Sequence, residues 1–256
     1  MNLSPATVYL WFTFVEDIQD EKLLSEYRRL LPASELEKLE RYRFDKHRKR
    51  YLVGRALIRT ILSRCTGLVP KQITFSRGDY GRPFLLPFGT SPPPEFNLSY
   101  TDGLVAAALS LECRVGIDVE NTSREIDCLE IAERYFSTAE YMELQQLPKP
   151  LLKERFFELW TLKEAYVKAQ GGGLHTPLDE VSFHLRDANN DPVKSTYVVT
   201  DDGRQWQFRT LKPSDRHKAS FCVRRNAESP LRVISKKTIP LIAEDDFIMY
   251  KDRYKL

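Results

Sequence analysis

Apolar and polar positions alternate most cleanly from Val115 to Glu120, in the run Val-Gly-Ile-Asp-Val-Glu. Val115, Ile117 and Val119 fall on one face of the strand this predicts, and Asp118 and Glu120 fall on the other. A continuous apolar run over 8–15 predicts a buried first strand. Helical spacing takes over elsewhere. Trp160, Glu164 and Lys168 recur at i, i+4 and i+8 and so share one helix face. Ser34 to Glu37 and Ser137 to Glu140 both read S-x-x-E, the capping box that opens a helix. Long helical patterns follow each box and should end near Gly67-Leu68 and Gly173-Leu174. Strands are expected over 73–76, 95–100 and 104–109, and again over 181–185, 195–200, 206–210 and 218–224. A connection rich in Gly and Pro spans 78–94, and its Pro92-Pro93-Pro94 supplies no ladder donors. Little patterning follows Pro230.

The succession repeats. Lys49-Arg50-Tyr51-Leu52 resembles Glu154-Arg155-Phe156-Phe157 inside the two long helices, and Ile73-Thr74-Phe75 echoes Val181-Ser182-Phe183 after them. This predicts an α+β fold of two similar halves, 1–112 and 113–256, related by a pseudo-twofold axis. The strand bearing Asp118 and Glu120 would then lie close to the seam, where ligand sites are favoured.

Composition narrows the function classes. The chain has 256 residues, 42% hydrophobic and 29% charged, as in an ordinary soluble globular protein with a substantial core. A net charge of +3 is too small to make nucleic-acid binding the default, although six of the ten residues from Arg41 to Arg50 are Lys or Arg. Cys65, Cys113, Cys128 and Cys222 form no C-x-x-C pair, so no zinc pattern exists and a reducing compartment is expected. The run over 8–15 lacks a preceding basic residue and is too short to span a bilayer. The expected location is the cytoplasm, with no membrane association.

A lone D-x-E would be an exposed strand face, and a lone K-E-x-x-x-K a set of surface ion pairs on a helix. Their conjunction is more specific. Asp118 and Glu120 on a strand end, opposite a helix face carrying Trp160, Glu164 and Lys168, suit Mg2+ and a polyphosphate, because this hard cation takes a few carboxylates plus phosphate oxygens. Gly171-Gly172-Gly173 lets the backbone turn sharply beside a ligand.

The chain resembles the 4′-phosphopantetheinyl transferases, specifically the surfactin-type (Sfp-like) group built as a monomeric pseudo-dimer. G-x-D-x-E from Gly116 to Glu120 and W-x-x-K-E-A-x-x-K-x-x-G-x-G-L from Trp160 to Leu174 carry the resemblance. Tyr80-Gly81-Arg82-Pro83, Phe96-Asn97-Leu98-Ser99 and the Arg50 helix support it. The resemblance implies Mg2+-dependent transfer of 4′-phosphopantetheine from coenzyme A to a serine of an apo acyl or peptidyl carrier protein. Adenosine 3′,5′-bisphosphate would leave, and the active site would lie between the halves. It further implies Asp118, Glu120 and Glu164 at the metal, and Lys163 and Lys168 on the diphosphate. Arg50 would meet the 3′-phosphate, Arg82 and Pro83 would line the adenine side, and Ser99 would touch phosphate. Glu164 and Lys168 are the implied catalytic groups, with Glu140 as the other acidic candidate, although its place in a capping box already explains it. Tyr100 stands where the family usually has a histidine for the 3′-phosphate. Carrier docking is expected over part of 126–136. The alternatives are a non-catalytic module that binds coenzyme A or carriers, and a metal-dependent phosphohydrolase, which no H-x-x-x-H, D-x-D-x-T/V or Walker pattern supports.

Overall fold

The computed structural model describes residues 1, 3–87, 92–173, 177–183, 197–199, 205–225 and 231–247. Strand β1 (Thr7–Phe14) is followed by helices α1 (Glu21–Arg29), α2 (Ala33–Glu40) and α3 (Asp45–Thr66). A short hairpin, β2 (Phe75–Arg77) and β3 (Pro83–Leu85), leads to β4 (Glu95–Thr101) and β5 (Leu104–Ser110). The order then recurs with β6 (Val115–Asn121), α4 (Cys128–Tyr135), α5 (Thr138–Gln146), α6 (Lys149–Gln170), β7 (Tyr197–Val199), β8 (Gln205–Ser214) and β9 (His217–Arg225). Twice the chain runs strand, short helices, a 22-residue helix and antiparallel strands. Strands β10 (Arg232–Ile239) and β11 (Ala243–Asp246) complete the described chain.

The side-chain period of two sorts the strands into layers. Val8, Leu10 and Phe12 of β1 and Leu104, Ala106 and Ala108 of β5 pack against Val115, Ile117 and Val119 of β6 and Ala219, Phe221 and Val223 of β9. Their alternates, Tyr9, Trp11, Val105, Ala107 and Leu109, join a second core with Val53, Leu57 and Ile61 of α3. A third core gathers Phe156, Phe157, Leu162 and Ala165 of α6 with Phe208 and Cys222. Two sheets therefore lie inside and helices cover their outer faces. The first sheet runs β11-β10-β1-β5-β4 and the second β6-β9-β8-β7.

Several expectations change. Helix α2 has Pro32 as its N-cap, so Ser34 lies within the first turn and makes no capping box. The carbonyl of Pro32 accepts Glu35 N and Leu36 N, both at 3.1 Å, which sets the helix start earlier. Glu35 is drawn off to Arg55 and to Arg59, the latter at 2.8 Å. The second box, Ser137 with Glu140, is formed in full. Helix α6 stops at Gln170 because Gly171 takes the left-handed conformation, φ 79°, as its C-cap. The expected loop over 78–94 contains β3. Residues 178–180 form a 3-10 turn and 181–183 no strand, while 184 and 185 lie outside the described residues. The weakly patterned tail supplies β10, which pairs in parallel with β1. The last two described strands of the 113–256 segment thus belong to the first sheet.

Candidate active site

The edges of the two sheets meet along β4 and β6 without a backbone ladder. Asn97 Oδ1 accepts Ile117 N (2.9 Å), Ser99 Oγ accepts Val119 N (3.2 Å) and Thr101 Oγ1 accepts Asn121 N (2.9 Å). Three polar side chains at period two thereby satisfy the buried edge of β6. They also hold Asp118 and Glu120 in register opposite α6. Helix α6 approaches β6 closely because residue 116 is glycine. A Cβ there would collide with the Ala165 carbonyl and come within 2.8 Å of Ala169 Cβ. A bond of 2.8 Å between Thr161 Oγ1 and Ser220 Oγ fastens the helix to β9.

This seating brings Asp118, Glu120, Glu164 and Lys168 together. Asp118 is 4% exposed, and its Oδ1 accepts Ser99 Oγ at 2.9 Å and Lys168 Nζ at 2.6 Å. Lys168 Nζ also donates to Ser99 Oγ at 2.9 Å. Asp118 Oδ2 is buried and has no hydrogen-bond partner among the described residues. Glu120 accepts Trp160 Nε1 (3.2 Å) and Thr101 Oγ1 (3.4 Å), and pairs with Arg124 at 3.3 Å. Burial, then the charge of Asp118, pushes the Glu120 carboxyl up to about 7. Burial and Asp118 raise Glu164 as well, with Lys168 opposing them. Three carboxylates crowded into a largely buried site, met among the described residues only by Lys168 and the partly exposed Arg124, are short of positive charge. The orphaned Asp118 oxygen and the raised carboxyls fit a hard divalent cation. Among the described residues no group of three or more His, Cys, Asp or Glu side chains is placed to hold a metal ion as it stands.

A cleft of about 480 Å³ opens beside this group. Glu164, Val167 and Lys168 of α6 form one side, and Tyr80, Gly81, Arg82 and Pro83 another. Asn97 and Leu98 contribute from β4, Arg134 and Tyr135 from the end of α4, and Pro177, Leu178 and Asp179 from the segment after α6. Residues of both halves of the sequence line it. Arg82 is braced by Glu95 at 2.8 Å and by the Ala169 carbonyl, and burial depresses its guanidinium pKa.

Four residues singled out by motif are not brought to this cleft. Lys163 is fully buried on the far side of α6, paired with Glu140 at 2.7 Å, because it lies about 100° around the helix from Glu164. Glu140 is spent on that pair and on its capping box. Tyr100 alternates with Ser99 and so faces α3, where its ring occupies the notch left by Gly54. A Cβ on Gly54 would lie 2.8 Å from Tyr100 Cζ, and the Tyr100 side chain stays partly exposed. Arg50, one turn before Gly54, contacts His47 Nδ1 at 3.0 Å. Asn97 is part of the Phe96-Asn97-Leu98-Ser99 motif but carries no site role in the sequence, Arg134 and Tyr135 fall in the 126–136 segment expected to dock the carrier, and Thr101 and Asp179 belong to no motif. The alternation of Asn97, Ser99 and Thr101 is a usable signal, whereas nothing local marks Asp179.

Comparison with known proteins identifies the family. Residues 114–222 match the model of the 4′-phosphopantetheinyl transferase superfamily, and 19–112 match that of the 4′-phosphopantetheinyl transferase N-terminal region. The chain is 32% identical over 223 residues to the 4′-phosphopantetheinyl transferase HetI of Nostoc, covering 87% of this chain and 90% of that protein. It is 36% identical over 173 residues to Sfp of Bacillus subtilis, covering 64% and 75%. A mouse L-aminoadipate-semialdehyde dehydrogenase-phosphopantetheinyl transferase is 26% identical over 210 residues, covering 77% and 68%.

Proposed function

Because this chain belongs to the 4′-phosphopantetheinyl transferase superfamily, we propose that the cleft beside Glu164 and Lys168 is where phosphopantetheine passes from coenzyme A to a carrier-protein serine. The observation that carries this reading is the grouping of Asp118, Glu120, Glu164 and Lys168 at one edge of the cleft, with Asp118 Oδ2 unpartnered. Asp118, Glu120 and Glu164 would hold Mg2+, which when bound neutralises phosphate charge. Lys168 offers its ammonium to the bisphosphate as negative charge grows there, and is already seated by Ser99. Arg82 and Pro83 border the coenzyme's end of the cleft. Arg50 and Tyr100 lie outside its lining and receive no contact in this account.

In the transfer, the serine oxygen forms the new bond to phosphorus and the bond to the bisphosphate oxygen breaks. Adenosine 3′,5′-bisphosphate leaves with its charge met by Lys168. The serine proton passes to a carboxylate, and Glu164 lines the cleft with its proton affinity raised by burial. Among the described residues no helix is long and apolar enough to cross a membrane.

Incubating the protein with coenzyme A, Mg2+ and an apo carrier, then weighing the carrier, tests the reading. A mass gain of one phosphopantetheine is expected. Coenzyme bound without transfer would favour a binding module, and coenzyme broken down without carrier would favour a phosphohydrolase.

A further inference from the structure

Lys163 and Glu140 stand apart from the chemistry above, yet their side chains are 0% and 1% exposed. Burying two charges costs several kcal/mol for each ion unless every donor and acceptor is met. Here they are met. Lys163 has three donors, which go to Glu140 Oε2 at 2.7 Å, to Leu178 O at 2.7 Å and to Val181 O. Glu140 Oε1 accepts Phe183 N at 2.9 Å, and Oε2 also accepts Ser137 N and Ser137 Oγ, both at 2.9 Å. The rings of Phe136 and Phe183 flank the ammonium at 5.2 and 5.8 Å. Ser137 Oγ, finally, meets Ser182 Oγ at 3.0 Å.

These bonds converge on residues 178–183. That segment has only a three-residue 3-10 turn of regular structure, from Leu178 to Glu180. Its first residues, Leu178 and Asp179, together with Pro177, form one wall of the cleft. Lys163 adjoins Glu164 in the chain, so the helix that carries Glu164 and Lys168 into the cleft also holds this wall, through Leu178 O and Val181 O. We propose that Lys163 and Glu140 are positioning residues, a buried strut that sets the 177–183 wall against α6 and thereby governs how well the cleft holds the coenzyme. This rests on reading the cleft as the coenzyme site.

The test compares wild type with Glu140→Gln and with Glu140→Gln/Lys163→Met. The double variant leaves no buried charge unpaired, so it carries the test if the single variant fails to fold. It forfeits the two bonds to Leu178 O and Val181 O, so KM for coenzyme A should rise about tenfold or more while kcat stays within about threefold. Hydrogen exchange in 178–183 should quicken while exchange in β1 and β5 does not change. A large fall in kcat at unchanged KM would overturn the proposal and make Glu140 or Lys163 part of the chemistry. Unchanged exchange in 178–183 would overturn it too. If wild type itself transfers nothing, the functional reading fails, and the exchange measurement still decides the strut.

Discussion

Replacing Glu120 with Gln should stabilise the metal-free protein, increasingly as pH rises from about 5 to about 7. The Glu120 side chain is 15% exposed, and its carboxyl is pushed up to about 7 chiefly by burial and secondly by Asp118. An unfolded chain gives up that proton near the ordinary value of 4.5. Between the two values the folded protein holds a proton that the unfolded chain has lost. Unfolding free energy therefore falls as pH rises through this window. The penalty is absent below about pH 4.5, fully present above about pH 7, and amounts to about 3 kcal/mol at about 1.36 kcal/mol per pH unit. Gln keeps the shape and an acceptor for Trp160, and gives up only a partly exposed pair with Arg124, worth about 1 kcal/mol or less. Urea unfolding in EDTA at pH 5 and pH 8 measures the effect. Wild type and Glu120→Gln should be close at pH 5 and separate at pH 8, with the variant the more stable by about 2–3 kcal/mol. Millimolar Mg2+ at pH 8 should stabilise wild type and do less for the variant. Curves that stay parallel from pH 5 to pH 8 would refute the crowding argument for this site.

Lys168→Met removes the ammonium held on Asp118, so kcat should fall by a hundredfold or more, on the order of 3 kcal/mol, while Mn2+ binding to the free protein tightens. Steady-state kinetics and titration by electron spin resonance read the two effects, and weakened metal binding would count against the shared site. Gly116→Ala forces a methyl into the Ala165 carbonyl and should cost about 2–3 kcal/mol or more in unfolding free energy, measured in urea. A fragment of residues 113–256 should not fold alone, because β10 needs β1 and the inner core draws on both sheets. Circular dichroism of the fragment checks this, and the intact chain should sediment as a monomer.

Much of this architecture is legible from local periodicity. The alternation at Val115–Val119 sets which face of β6 is core and which bears Asp118 and Glu120, and the i, i+4, i+8 spacing sets the face of α6. Both signals arise from the geometry of one element, so no long-range information is needed. Lys163 shows where a motif misleads. Adjacent letters in K-E lie about 100° apart on a helix, and the structure turns one into the core and the other into the cleft. Ser99 and Tyr100 part in the same way on β4. The pairing of β10 with β1 joins segments more than two hundred residues apart, and no local pattern in 232–239 announces it. The cleft residues Arg134, Tyr135 and Asp179 owe their place to how α4 and the 177–183 segment pack, which is likewise tertiary.

The central claim is that Asp118, Glu120, Glu164 and Lys168 form the transfer centre. Intact-mass measurement of an apo carrier protein incubated with coenzyme A, Mg2+ and either wild type or Asp118→Ala tests it most directly. Wild type should add one phosphopantetheine. The folded variant should be slower by a thousandfold or more, on the order of 4 kcal/mol of lost transition-state stabilisation. Transfer by folded Asp118→Ala at a near wild-type rate in saturating Mg2+ would contradict the account.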